Sequence, residues 1–122
     1  VARTFSGDVR HTTDVLREAL RHPGFAFVEV MQLCPTFNRA TSNAWFWDRI
    51  RYVDDLKGYD SSDIEAARKA AADLEKEIMM GVLYRQKRPA LLDLIPSRAG
   101  KKTALVDEVR YYSIAKLMRA YE

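Results

Sequence analysis

The sequence has 122 residues, 48% of them apolar, with 20 basic against 17 acidic side chains and a net charge of +3. That length allows one small domain with a real core, and no run reaches the ~18–20 apolar residues of a membrane span. There is no signal-peptide pattern, and the single cysteine excludes an internal disulfide, so the expected setting is reducing and cytoplasmic.

Acidic and basic residues are interspersed, which reads as a solvated mixed-charge surface. The densest basic clusters, Arg85-Gln86-Lys87-Arg88 and Lys101-Lys102, are too short for a nucleic-acid footprint, and no nucleic-acid or membrane partner is expected. Val1–Phe5 is too short to be a free-standing strand. Asp8 is suited to cap a helix, because its carboxylate can accept from the amides of the first turn. A helix is expected over Val9–Arg21, with Val9, Thr13, Leu16 and Leu20 at helical spacing and Val15 and Ala19 widening the stripe. His22-Pro23-Gly24 stops it. Phe25–Leu33 follows, apolar except for Glu29 and Gln32, and reads as a central strand buried on both faces. Helix, stop and strand make the second half of a βαβ unit, so the fold class is α/β. Cys34 then stands just past the strand's carboxyl end, where open α/β sheets gather ligands.

Phe37–Ala44 is polar and irregular. Trp45, Phe46 and Trp47 are adjacent, and three adjacent aromatics cannot share one helix face. They pack within the chain, or they form an interface with another domain or subunit, since aromatics are enriched in interface cores. Ser62 to Glu65 fits a capping box, and a helix is predicted from there to about Glu77, with Glu65 and Lys69 as an i,i+4 pair. Met79–Tyr84 is predicted as a strand broken by Gly81, ended by Arg88-Pro89. Ala90–Ile95 suits a helical turn, Pro96–Lys102 a linker, and Thr103 to about Tyr121 a last helix with Leu105, Val109, Tyr112 and Leu117 along one side.

Chemistry concentrates on Cys34. A lone cysteine is commonly an inert core residue; a thiolate is also a soft ligand for iron–sulfur clusters, which take four. A Cys–His nucleophile pair is not expected, because His22 lies at the other end of the strand and His11 is placed near that same far end. Thr36 and Asn38 can shape the loop after Cys34 or serve an ordinary turn. HExxH, CxxC, P-loop and GxGxxG patterns are absent from the sequence.

Three stretches together point to a family: SGDVRH at Ser6–His11, GFAFVEVMQLCPTFNR at Gly24–Arg39 and GVLYRQKRP at Gly81–Pro89. They resemble the C-terminal part of the thiamine-diphosphate-binding β subunit of 2-oxoacid:ferredoxin oxidoreductases, nearest to the two-subunit enzymes acting on 2-oxoglutarate or on a broad range of 2-oxoacids. The resemblance covers most of Val1–Asp93 and fades after Leu94. It implies that Val1–Phe5 is the tail of a strand. It further implies that Cys34 is one ligand of a proximal [4Fe–4S] cluster whose other cysteines lie in the N-terminal part of the subunit, with Pro35, Thr36 and Asn38 shaping the loop beside it. Trp45, Phe46 and Trp47 become interface candidates.

The implied parts are residues 1–44, half of a thiamine-diphosphate-binding α/β domain; 45–95, a C-terminal extension of family type; and 96–122, a linker and terminal helix. In the complete enzyme the cofactors would be thiamine diphosphate, Mg²⁺ and [4Fe–4S]. The partners would be the remainder of the β subunit, an α subunit, ferredoxin, coenzyme A and the 2-oxoacid, with a homodimer also possible. Gly7-Asp8 is not the GDG…N segment through which thiamine enzymes hold the diphosphate, and with one cysteine the chain by itself is expected to hold neither cofactor. The expectation is a fragment or one half of a split subunit, inactive alone. The competing reading is an accessory protein that reuses this half-domain and docks through Trp45–Trp47.

Overall fold

The polypeptide builds a four-stranded sheet from β1 (Ala2–Phe5), β2 (Val28–Met31), β3 (Ile50–Tyr52) and β4 (Ile78–Val82), with helices α1 (Val9–Arg21), α2 (Asn43–Arg49) and α3 (Ile64–Ala72) between them. The structure is a computed structural model that describes residues 1–98, 100–101, 104, 106–107 and 114–119. The chain divides into two units, Val1–Ala90 and Leu91–Glu122. In the second unit, short helical turns cover Leu91–Leu94 (α4), Pro96–Arg98 and Ala115–Met118 (α5). The turn at Leu91–Leu94 falls where the sequence places one. The expected final helix, with Leu105, Val109 and Tyr112, lies mostly outside the described residues.

Strand order is β2-β1-β4-β3. β1 and β2 are parallel, in register from Ala2 with Val28 to Phe5 with Met31, and α1 is their crossover. β4 runs antiparallel to β1, with Arg3 opposite Gly81, and parallel to β3. The fold is mixed α/β, as expected, but the burial is distributed differently. All four residues of β1 are buried. The predicted central strand Phe25–Leu33 is instead the four-residue edge strand β2, whose residues are half-buried or exposed. Phe25 is 85% exposed, so the run is not buried on both faces. The physical reason is position: an edge strand has one paired neighbour, whereas β1 has two and is roofed on both faces. β3 has only three residues and no periodicity to betray it.

Side chains alternate across a strand, and β1 uses this to bind both layers. Thr4 meets His11 and Thr12 of α1 on one face. On the other face Arg3 pairs with Glu29 at 2.6 Å and reaches the Ala71 carbonyl of α3 at 3.4 Å. Phe5, on that same face, stacks on Phe46 of α2 at 4.6 Å and takes the edge of Trp47 at 5.7 Å. Phe5, Phe46, Ile50, Ile78 and Met80 form the main core, and Val53, Met79 and Leu83 a second one. Burying a side chain the size of Phe5 contributes about 2–3 kcal/mol, and an aromatic stack adds about 1.

α1 matches its expected bounds, and Asp8 caps it by accepting from the His11 amide. Its buried face is not the expected stripe. Val15 is buried, with His11, Thr12 and Ala19 half-buried, while Val9, Leu16 and Leu20 are 72%, 43% and 88% exposed. α3 also departs from expectation. Its cap is Asp63, which accepts from the Glu65 and Ala66 amides, while the Ser62 hydroxyl donates to Asp60. Glu65 pairs with Arg68 rather than Lys69 or the cap. The helix ends at Ala72, not Glu77: Asp73 accepts from the Glu75 and Lys76 amides and turns the chain, so Ile78 belongs to β4.

Gly81 lies inside β4 with φ of 111°, a region that L side chains rarely adopt, and a Cβ there would stand 2.7 Å from Val53 Cγ2. Gly81→Ala should therefore lower stability by about 3 kcal/mol, from backbone strain and overpacking together. Adding Val53→Ala should not restore stability, because the strained backbone remains and a buried side chain is lost. Denaturant midpoints of the single and double variants check this, and a neutral Gly81→Ala would contradict the geometry.

Candidate functional site

The carboxyl ends of β1 and β2 lie side by side, tied by the Ser6 amide donating to the Met31 carbonyl at 2.9 Å. Two groups of residues occupy this end of the sheet. The first is the loop after β2. Leu33 and Cys34 are half-buried, Leu33 against the main core, and the loop then turns on Asn38. The Asn38 amide donates to the Cys34 carbonyl at 2.8 Å, and its side-chain oxygen accepts from the Ala40 and Thr41 amides. Asn38 therefore shapes the loop through backbone hydrogen bonds. Pro35, Thr36 and Phe37 are exposed, Phe37 to 92%. Cys34 is thus held through its carbonyl and is partly exposed.

The second group is a polar network beneath the start of α1. Asp8 Oδ1 accepts from the His11 amide at 3.0 Å, and Oδ2 accepts from the Tyr52 hydroxyl at 2.6 Å. Thr12 donates its hydroxyl to the Phe5 carbonyl at 2.9 Å. Its oxygen can then only accept from Thr4, which uses Thr4's single hydrogen. The Thr4 oxygen, 2.9 Å from His11 Nδ1, is left to accept, so the hydrogen-bond count assigns the His11 proton to Nδ1. The His11 ring also packs edge-on against Tyr52 at 4.8 Å. His11 consequently sits at the same end of the sheet as Cys34. That corrects the expectation that placed it at the far end. It is nonetheless engaged by Thr4 and Tyr52, not by the thiol. Gly7 is favoured here by close approach: a Cβ would run into the Phe5 ring.

Partial burial pushes the Asp8 carboxyl up, but the Tyr52 hydroxyl, the His11 amide and the His11 and Arg10 charges outweigh it and hold Asp8 below the usual carboxylate range. Tyr52 is pushed up to about 12 by burial, by its hydrogen bond to Asp8, and by the Asp8 and Asp55 charges. Both are signatures of a neutral phenol donating to an anion. The network joins β1, α1 and β3, and it makes the floor of this end of the sheet rigid. Sequence reasoning finds Asp8 as a cap but misses Tyr52, Thr4 and Thr12. Thr4 and Tyr52 are polar residues in short strands and Thr12 a polar residue within α1, and none of them forms a periodic pattern.

The aromatic triplet is placed by α2, whose cap Ser42 accepts from the Trp45 amide. Phe46 is buried on Phe5, Trp45 lies edge-on to Phe46 at 5.1 Å with Arg49 4.4 Å over its ring, and Trp47 keeps 43% of its surface exposed. Among the described residues no three His, Cys, Asp or Glu side chains come close enough to hold a metal ion. Cys34 could offer a cluster one ligand, and three further ligands would have to come from elsewhere. Among the described residues no helix is long and apolar enough to cross a membrane.

In open α/β sheets, ligands gather beyond the carboxyl ends of the strands, and similarity to known proteins defines the class of this chain. The chain belongs to the family formed by the C-terminal region of the pyruvate ferredoxin oxidoreductase beta subunit, whose model matches residues 34–99. Among curated relatives, the 2-oxoacid:ferredoxin oxidoreductase subunit beta of a Sulfolobus species is 29% identical, over 88% of this chain and 44% of the relative. Subunit beta of 2-oxoacid:ferredoxin oxidoreductase 2 from Aeropyrum pernix is 34% identical, over 69% of this chain and 30% of the relative. Among solved structures, the 2-oxoglutarate:ferredoxin oxidoreductase from Magnetococcus marinus, with 2-oxoglutarate, coenzyme A and succinyl-CoA bound, matches 99% of this chain and 40% of its own, with a TM-score of 0.69 and 26% identity. The chain spans less than half the length of each of these proteins.

Tyr52→Phe should cost about 2 kcal/mol at neutral pH, the usual worth of a hydrogen bond to a charged group. The pH dependence distinguishes this bond from simple packing. Tyr52 has its folded pKa raised from 10.0 to about 12, so its contribution is complete below pH 10 and fades as the pH rises through 12. Asp8 is lowered from 3.8, so its contribution is present above that value and lost as the pH falls through the folded pKa. Unfolding midpoints of Tyr52→Phe should accordingly lose part of the alkaline slope between pH 10 and 12. A slope identical to that of the parent protein would remove the bond from the account.

Proposed function

We propose that this chain is the carboxyl-terminal portion of the β subunit of a 2-oxoacid:ferredoxin oxidoreductase, and that Cys34 is one ligand of that subunit's [4Fe–4S] cluster. The reading is supported above all by the match along 99% of the chain to a 2-oxoglutarate:ferredoxin oxidoreductase. In the complete enzyme a 2-oxoacid would be decarboxylated to an acyl-CoA, and a bound [4Fe–4S] cluster would supply one-electron transfer chemistry toward ferredoxin.

The residues of this chain have limited parts in that reaction. Cys34 contributes one thiolate from a loop that Asn38 holds by its backbone. Pro35 fixes φ near −65° and removes a competing amide, so the loop leaves β2 in a set direction. The Asp8–Tyr52–His11 network keeps the neighbouring end of β1 from shifting. Thiamine diphosphate and Mg²⁺ would be held by the part of the subunit that this chain does not match. That part also supplies cover. β2 offers an unpaired edge, and Val30, on the α1 face through its register with Thr4, is 44% exposed beside the exposed Val9, Leu16 and Leu20 of α1. An unpaired strand edge beside an apolar helix stripe is suited to a further strand and helix. The α subunit, ferredoxin and coenzyme A complete the assembly, with the exposed part of Trp47 available as interface.

In the complete enzyme, Cys34→Ser should lose the cluster or convert it to a three-iron form, because serine keeps the shape but replaces a soft thiolate by a hard, poorly ionised oxygen. Iron content and low-temperature paramagnetic resonance should show the loss while thiamine binding persists. A full-strength [4Fe–4S] signal would return Cys34 to the status of a core residue. Purified 122-residue chain given thiamine diphosphate and Mg²⁺ should not reduce a viologen dye with any 2-oxoacid. Turnover would show that the catalytic machinery lies within these residues.

A further inference from the structure

At the opposite end of the sheet from Cys34, two hollows open side by side, of about 410 and 320 Å³. They share His22, Pro23, Glu18 and Arg85. The first is backed by Phe25 and Phe27, which are 85% and 53% exposed, and is rimmed on its other side by Arg88. The second is rimmed by Arg21 and Lys87. The sequence separates these basic residues into the end of α1 and the stretch after β4, and the fold brings them to one mouth. Four cations thus face one carboxylate. Glu18 pairs with Arg85 and orients it at the lip common to both hollows. Arg21, Lys87 and Arg88 enter no ion pair among the described residues.

We propose that this double hollow binds a small phosphorylated ligand of the nucleoside diphosphate type. The phosphates would lie against Arg85, Arg88 and Lys87, and the base against Phe25. Three arguments carry it. Guanidinium forks match phosphate oxygens two at a time. Unpaired cations set round a concave, partly apolar wall concentrate an anion there. An exposed phenylalanine face beside that charge is a stacking platform for a planar ring. The carboxyl end of α1 opposes an anion through its dipole, but the cations outnumber that partial charge and Glu18 together. Arg21 also offsets the dipole directly. The site is independent of the cluster reading, because it uses none of the residues around Cys34.

The test is direct binding to the 122-residue chain by calorimetry at two salt concentrations, with adenosine diphosphate, inorganic pyrophosphate and adenosine as probes. Adenosine diphosphate should bind saturably and more tightly than either of its parts, and weaken as salt rises. Lys87→Glu with Arg88→Glu should weaken both phosphorylated probes by roughly tenfold or more, as expected for losing two phosphate contacts and adding repulsion. Phe25→Ala should weaken the nucleotide by roughly tenfold and leave pyrophosphate unchanged, the latter also showing that the variant is folded. These substituted side chains are exposed, so unfolding is not their expected effect. No saturable binding of the nucleotide, equal affinity for pyrophosphate, or indifference to either set of variants would overturn the proposal.

Discussion

The constraint on which the fold turns is the burial of a strand that is half polar. β1 has four residues, all inaccessible, and two of them are Arg3 and Thr4. Burying a polar side chain without partners costs several kcal/mol, so each must bring its partner with it. Thr4 recruits His11 and Thr12, which fixes α1 over one face. Arg3 recruits Glu29 from β2 and the Ala71 carbonyl from α3, which fixes the other face and the register of β2. One Arg3 nitrogen, Nη1, stays without a hydrogen bond among the described residues, a cost that the pair with Glu29 offsets. The apolar residues of the strand then complete the arrangement, since Phe5 can stack on Phe46 only when α2 comes back beside β1.

This explains which parts of the structure can be read in advance. Asp8, the helix Val9–Arg21 and the strand around Met79 are legible because each is a local matter of capping, periodicity or an apolar run bounded by a breaker. The error over Phe25–Leu33 has a different origin. An apolar run states what a segment is made of, and not how many neighbours it pairs with. β2 has that composition and an exposed edge, so composition alone mistakes it for the centre. The real centre, β1, is too short and too polar to stand out. Its polar residues are nevertheless what tie it to both layers. The one-residue shift of the α3 cap is between two residue types that both suit the position: Asp63 takes the helix amides, while the Ser62 amide and hydroxyl both donate to Asp60 in the turn before it.

The candidate site shows the same division. Cys34, Pro35 and Asn38 sit where a strand-end loop should be, and Asn38 holds the loop through its backbone. Nothing in the local chemistry of one cysteine separates a ligand from a core thiol; that distinction comes from the resemblance of the whole CPTFN stretch. Tyr52 could not be found at all without the fold, because its partner Asp8 is 44 residues away.

Long-range hydrogen bonds such as that one also explain why the two ends of the sheet have different characters. At the Cys34 end, Asp8 spends both oxygens, Thr12 spends its hydrogen, and Thr4 is held between two partners. The polar groups of that network are committed to one another and to the backbone of β1 and α1. At the other end the balance is reversed. There, one ion pair between Glu18 and Arg85 organises the surface, and the remaining cations have no internal partner among the described residues. A saturated network makes a rigid support, whereas an unsaturated one has donors to offer a ligand. The two ends of β2 therefore differ in kind: a saturated polar network beside the Cys34 loop at one, and a cationic, aromatic hollow at the other.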